Sequence, residues 1–553
     1  LPVANMKNYE EVYRSFKLEV PEYFNWARDE FDRWCENPHK LALWVVNDFG
    51  SETKLTFRQL AKLSRKLANV FKANNILPGD RIIVILGKRS AFWVAMLASL
   101  RSGVVISPGS TQLTAKDIQS RFVASGATAI IAEEEIADKV DAVAMNCPTL
   151  KTKILVGRRA GWLSFDDELE KAPEEYEAVN TRADDNALLY FTSGAAGLPK
   201  MTIHTHASYG IGHLVTGKFW LDLTENDLHW NLTDTGWAKA AWSSFFGPWN
   251  CGASVFVHDS AGKFDGRRTL AILSKYPITT LCGPPTAYRV LVQENLQSYS
   301  FNTLRHCVAA GEPLNPEVIK VWKEATGTTI YDGYGQTETV LLVANFPANF
   351  VKVGSMGKPS PGFKVAIVDR DGNEVEPGRA GDIAVRVKPE RPVGIFKEYY
   401  NEPERTAATL RGDWYITGDR GVCDKDGYIT FVSRADDAIL SSAHRIEPFE
   451  VESALIEHPA VAETAVVASP DSLRGEIVKA FIIVATGYEG SEVLTKELQD
   501  FVKKMTAPYK CPREIEYVDS LPKTISGKIR RTELREMEKQ KKLMKIFAES
   551  GIS

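Results

Sequence analysis

The sequence predicts an α/β protein: a large N-terminal domain of layered α/β subdomains with a β-rich subdomain, then a small C-terminal α+β domain. Three observations carry that expectation. Short β-rich runs at 81–86, 104–107, 128–132 and 153–156 alternate with longer helical patterns, and 60–74 shows apolar residues at helical spacing, as parallel strands joined by helices require. After Phe350 the runs shorten and are broken by Gly and Pro: 365–369, Asp371-Gly372, 381–387, Asp426-Gly427 and 428–432 read as β-hairpins. From Glu447 onward a helix-like 449–457, strand candidates 465–468 and 479–484 and a helical 494–504 make a small mixed unit. The expected domains are 1–435 and 436–553.

At 553 residues the chain has room for several units of roughly 150 residues and for a sizeable core. Hydrophobic residues at 44% and charged residues at 25% exclude a disordered chain, a collagen-like chain or a disulfide scaffold. Lys+Arg 67 against Asp+Glu 71 leaves a net charge of -4, so no global basic excess recruits nucleic acid or an anionic membrane. Seven cysteines without C-x-x-C spacing suggest neither a zinc site nor a disulfide frame, and fit a reducing compartment. The most apolar stretches, such as 91–100, have about half the length a membrane helix needs, so no transmembrane segment is expected. Glu10, Glu11, Glu19 and Glu22 arrive early in place of an arginine-rich, acid-poor leader, and any targeting peptide is expected to have been removed or never to have existed. Oligomeric state has no signal in the sequence.

Tyr190-Phe191-Thr192-Ser193-Gly194-Ala195-Ala196-Gly197-Leu198-Pro199-Lys200 follows an apolar run, 187–191, that reads as a strand. Two small residues between two glycines let backbone N–H groups curl around an anion. The hydroxyls of Thr192 and Ser193 add donors, and Lys200 adds a countercharge. The expected guest is a polyphosphate. Pro199 directly before Lys200 and the absence of G-x-x-x-x-G-K-[ST] spacing exclude a Walker loop, while a generic Gly-rich turn stays open on this segment alone.

The segment resembles the phosphate loop of the adenylate-forming superfamily of acyl-CoA synthetases, luciferases and peptide-synthetase adenylation domains. Five further stretches stand in that family's order: Gly311-Glu312-Pro313, Tyr334-Gly335-Gln336-Thr337-Glu338, Thr417-Gly418-Asp419, Ser433-Arg434-Ala435-Asp436-Asp437 and Pro522-Lys523-Thr524-Ile525-Ser526-Gly527-Lys528. Wording such as Asp234-Thr235-Gly236-Trp237 and Thr506-Ala507-Pro508-Tyr509-Lys510 is similar to the mitochondrial medium-chain acyl-CoA synthetases. The resemblance implies that ATP and Mg2+ convert a medium-chain or aromatic carboxylic acid to acyl-AMP, that coenzyme A accepts the acyl group, and that this takes place in the mitochondrial matrix. Clustered phosphate charge then calls for cations and aimed donors rather than a covalent nucleophile.

By the same resemblance Tyr334 stacks on adenine, Thr337 contacts the α-phosphate, Glu338 helps bind magnesium and Asp419 accepts the ribose hydroxyls, roles that suit their side chains. Thr192, Ser193, Gly194, Ala195, Ala196, Gly197, Lys200, Gly311, Glu312, Pro313, Gly335 and Arg434 complete the implied nucleotide site. Lys528 would enter from a mobile C-terminal domain to bridge the reacting carboxylate and the α-phosphate, with Asp436 as the hinge; a solvated basic tail is its bland alternative. Ala443, Arg445 and Arg474 are candidates for coenzyme A contacts, surface salt bridges being the equal alternative for the two arginines. Trp237, Gly311 and the 281–286 segment are candidates for the acyl pocket, with core packing open for Trp237. His204 and His206 lack a third ligand in register and are expected to have a structural or surface role.

The family usually has hydroxyl residues where this chain has Ala195 and Ala196, and glycine where it has Ala443 and Glu447. Two other readings therefore stay open: a catalytically weakened nucleotide- or acyl-binding relative, and an adenylating enzyme with a different acyl acceptor.

Overall fold

The computed structural model describes residues 4–192, 200–260, 262, 264–312, 314–434, 437, 439–441, 444–446, 448–471, 474–524 and 528–550. The chain divides into two compact units, Leu1–Val365 with Arg386–Asp413, and Ala366–Val385 with Trp414–Ser553.

The first unit is built on two sheets. One has eight strands, in the order Glu398–Tyr399, Lys200–Thr205, Asn186–Thr192, Val105–Pro108, Arg81–Ile85, Ala129–Glu133, Thr152–Val156 and Leu163–Ser164. Its inner strands from Val105–Pro108 to Thr152–Val156 are parallel, and Val105–Pro108, Arg81–Ile85 and Ala129–Glu133 are almost wholly buried, as continuous apolar runs covered on both faces should be. The other sheet has nine strands, with Leu41–Asn47, Ser254–Asp259, Leu228–Asn231, Thr280–Gly283, His306–Ala310 and Ile330–Gly335 parallel in that order. Ile330–Gly335 turns back antiparallel into Leu341–Ala344.

Helix boundaries follow local chemistry. Phe57–Ala73 starts on a capping box in which Thr56 and Gln59 satisfy each other's backbone donors, and its buried Phe57, Leu60, Ala61, Ser64, Leu67, Ala68 and Phe71 lie on one stripe. Ser90–Ser102 is buried nearly all round and ends at Gly103, whose φ of 68° suits a residue without a Cβ. This explains the apolar 91–100 stretch as a core helix, and no described helix is long and apolar enough to cross a membrane.

The second unit carries Val365–Val368, Ala380–Arg386, Trp414–Cys423 and Ile429–Arg434 in one sheet. The expected hairpin signals are turns here: Gly372 and Gly427 adopt φ of 87° and 83°, and the Asp369 carboxylate accepts the N–H groups of Asp371 and Asn373. Its other sheet pairs Val461–Asp471 antiparallel with Gly475–Val484, which pairs parallel with Glu514–Tyr517. Pro448–Ile456, Glu492–Met505 and Arg531–Ser550 are its long helices. The boundary expected at 435/436 falls inside this unit, between Ile429–Arg434 and Ile439–Ser441.

Candidate active site

In the first unit the Lys200–Thr205 strand organises the candidate site. It pairs with Asn186–Thr192 so that Thr192 faces Lys200, and with Glu398–Tyr399 so that Tyr399 faces Thr202. Ser193, Gly194, Ala195, Ala196 and Gly197, between Thr192 and Lys200, lie outside the described residues, as do Pro313, Asp436 and Ala443. Period-two alternation sends Lys200, Thr202 and His204 to one face.

Residues 334–338 form a half-exposed ridge between the buried pairs Asp332–Gly333 and Thr339–Val340. The ridge is fixed from beneath. The Thr337 carbonyl accepts from His204 Nε2 at 2.7 Å and from the Tyr209 hydroxyl at 2.8 Å. A carbonyl only accepts, so His204 carries its proton on Nε2, and Nδ1 takes the Ser208 hydroxyl at 2.9 Å. Burial lowers the His204 pKa to about 3, which keeps the ring neutral at any working pH. The Tyr209 hydroxyl also receives Trp242 Nε1 at 3.2 Å, and the Trp242 ring lies where a Cβ on Gly335 would approach within 2.5 Å. Only glycine fits at 335. Beneath the ridge, burial raises the Asp332 carboxyl well above the usual range, against the Gly333 N–H and Lys239.

Glu338 is held separately. Its Oε1 accepts from the Tyr399 hydroxyl at 2.7 Å, and its carbonyl accepts the Phe396 N–H at 2.7 Å. Lys200 Nζ sits 5.1 Å above the Tyr399 ring. One strand pair thus places Lys200, Tyr399 and Glu338 in a connected row. Among the described residues no group of three or more His, Cys, Asp or Glu side chains forms a metal cage. A magnesium ion held through one carboxylate and phosphate oxygens needs none, so Glu338 fits that use.

The acyl-pocket candidates also meet. Trp237 precedes the Ala238–Ala241 helix, and Lys239 inside it donates to the carbonyls of Gly283 and Ala310, tying the 281–286 segment and the residue before Gly311 to that helix. Gly311 has φ of 110°, and a Cβ there would meet open space. Glu312 pairs with Arg289 at 3.1 Å.

Among the described residues, the buried polar atoms without a hydrogen-bond partner include three at the candidate site: Thr192 Oγ1, Trp237 Nε1 and Glu312 Oε1. The Thr192 hydroxyl can donate to a phosphate, and the Glu312 oxygen suits an amine or hydroxyl donor. These spare valences fit a nucleotide.

In the second unit, Asp419 and Arg434 face each other across adjacent strands, with Nη1 to Oδ1 at 3.5 Å. Asp419 is buried after Gly418, whose φ is 77°. Lys528 is exposed; its carbonyl accepts the Thr524 N–H at 2.7 Å, and its own N–H donates to Thr524 Oγ1 at 3.1 Å. Arg474 pairs locally with Asp471 at 3.8 Å, and the Arg445 side chain lies outside the described residues.

Sequence patterns alone do not single out Tyr399, Tyr209 and Lys239. Tyr399 sits in the Tyr399-Tyr400 pair of an edge strand, and Lys239 lies just past Trp237; neither spacing signals a role without the fold. His204 is structural, as expected, and its partner is the Thr337 carbonyl.

Parallel sheets, a glycine-rich segment between paired strands and a threonine–glutamate ridge define a nucleotide-dependent enzyme of the α/β class. The chain belongs to the AMP-binding enzyme family, whose model matches residues 31–400, and the AMP-binding enzyme C-terminal domain matches 450–528. It is 52% identical over 548 residues to the mitochondrial acyl-coenzyme A synthetase ACSM3 of Mus musculus, covering 97% of this chain and 94% of that one. Among solved structures it is similar to the anthranilate CoA ligase AuaEII in complex with anthranoyl-AMP, with TM-score 0.87, 29% identity and coverage of 95% and 99%. A benzoate CoA ligase from Burkholderia xenovorans LB400 aligns with TM-score 0.82, 29% identity and coverage of 93% and 100%.

Proposed function

We propose that this protein is an AMP-forming acyl-CoA synthetase. A carboxylate oxygen attacks the α-phosphorus of ATP and pyrophosphate leaves; the thiol of coenzyme A then attacks the acyl carbon, giving the thioester, AMP and a proton. The observation that carries the reading is the Thr337–Glu338 pair, half-exposed yet pinned by His204, Tyr209 and Tyr399, in a chain of the AMP-binding enzyme family. One structural relative holds anthranoyl-AMP and another is a benzoate CoA ligase; both support an aromatic acid, and a medium-chain acid is the other substrate class proposed. The relatives' names support a mitochondrial setting, and the matrix is the compartment proposed.

Within that reading Tyr334 stacks the adenine, Thr192, Lys200 and Thr337 hold phosphate oxygens, and Asp419 with Arg434 holds the ribose. Mg2+ on Glu338 would neutralise phosphate charge as pyrophosphate departs. Lys528 supplies the cation between carboxylate and α-phosphate, delivered as 436–553 turns about Asp436, while Ala443, Arg445 and Arg474 serve coenzyme A. Trp237 and Gly311 bound the acyl group, with Lys239 holding their segments in place.

The test is coenzyme A-dependent AMP release with octanoate, butyrate and benzoate, alongside pyrophosphate exchange. Release with at least one acid is expected. No AMP and no pyrophosphate with any of them overturns the proposal.

A further inference from the structure

Lys528 leads almost without slack into a helix that is clamped at two points. The backbones of Lys523 and Ile529 bridge, the Arg530 N–H donates to the Pro522 carbonyl at 2.8 Å, and the Arg531–Ser550 helix begins three residues after Lys528. Arg531 and Arg535 are one turn apart on one face of that helix. Arg531 grips Glu452 through two nitrogens, at 3.1 and 2.6 Å, and Glu452 is nearly buried and also accepts the Val466 N–H at 2.7 Å. Arg535 grips Asp437, the described neighbour of the expected hinge; their side chains are 19% and 13% exposed. A pair so sheltered is screened far less than a surface bridge.

We propose that Arg535 is a positioning residue for adenylation: by holding Asp437 it joins the chain just past the hinge to the helix that directly follows Lys528, so that one rotation delivers the lysine without play. This rests on the reading of Lys528 as the adenylation cation. Without the clamp, Lys528 would sample many placements around the same hinge angle, and only the step that needs it would suffer. Arg531 on Glu452 fixes the same helix to the body of its unit through two hydrogen bonds, and Glu452 is the more buried of the two carboxylates, at 6% against 13% exposed.

The experiment compares wild type, Arg535→Ala, Arg535→Lys, Lys528→Ala and the Arg535→Ala/Lys528→Ala double variant in two half-reactions. These are pyrophosphate exchange with the best acid of the octanoate, butyrate and benzoate panel, and thioester formation from that acid's presynthesised adenylate and coenzyme A. Arg535→Ala should lower the kcat of exchange about tenfold with the KM for ATP held, spare the thioester step and be largely rescued by lysine. In the Lys528→Ala background it should cost nothing further. The thioester step doubles as the control for folding. Equal losses in both half-reactions, independent losses in the double variant, or no loss of exchange would each overturn the clamp. Full exchange activity in Lys528→Ala alone would instead overturn the reading of Lys528, and the clamp with it.

Discussion

Tyr399→Phe removes one oxygen from the row that connects Lys200 to Glu338. The hydroxyl donates to Glu338 Oε1 at 2.7 Å, a charge-assisted bond, while the ring stays packed 4.8 Å from Phe396 and 5.1 Å from Lys200 Nζ. Such bonds contribute roughly 1.5–3 kcal/mol. Glu338 is only partly buried, so water replaces part of the loss and about 1–2 kcal/mol is the appropriate range, or roughly 5- to 30-fold in rate. The assay is pyrophosphate exchange titrated with Mg2+ at saturating ATP. The expected result is a curve displaced to higher Mg2+ and a lower plateau, with the thermal midpoint of unfolding lowered by only a few degrees. An exchange rate and Mg2+ dependence indistinguishable from wild type would refute the claim that Tyr399 orients the carboxylate.

Gly335→Ala forces a Cβ to within 2.5 Å of both the Trp242 ring and the Val340 carbonyl, so the ridge must lift; a loss of about 1–3 kcal/mol, seen as a lower denaturant midpoint, should accompany weaker ATP binding by calorimetry. An unchanged midpoint would show that the backbone yields freely there. His206 is buried with both ring nitrogens unpartnered among the described residues, and burial lowers its pKa to about 4 against about 6.5 in an unfolded chain. Its contribution is therefore whole above pH 6.5, is lost as the pH falls, and levels off below about pH 4. His206→Phe should gain on wild type by about 1.4 kcal/mol per pH unit across that window, and parallel stability profiles from pH 7 to 5 would contradict it.

The elements most legible in the sequence are those whose signal is local. The apolar runs at 81–86 and 128–132 became buried parallel strands because a run covered on both faces needs no partner to be recognised. Asp371-Gly372 and Asp426-Gly427 became turns because positive φ and side-chain to backbone hydrogen bonds are written in the dipeptide. Gly103 marks only the C-terminal end of Ser90–Ser102, whose N-terminal end has no side-chain cap to announce it. Within the candidate site, Thr337 and Glu338 stand out by motif order. What holds them does not, because His204 lies 133 positions from Thr337 and Tyr399 lies 61 from Glu338, and only the folded chain brings them together. Lys239 is hidden for the same reason: its two carbonyl partners are 44 and 71 positions away. The pairing of Asp419 with Arg434 spans one hairpin, yet in the sequence their two motifs read as separate stretches rather than as neighbours.

The two donors spent on the Thr337 carbonyl also orient what lies on the other side of that amide. In a trans peptide the C=O and the following N–H point in opposite directions, so drawing the oxygen inward toward His204 and Tyr209 turns the Glu338 N–H outward. The main chain thereby presents a fixed dipole to the open side of the ridge, one that no exchange of the Thr337 or Glu338 side chain can delete, and whose direction is set by an imidazole and a phenol rather than by either residue of the motif.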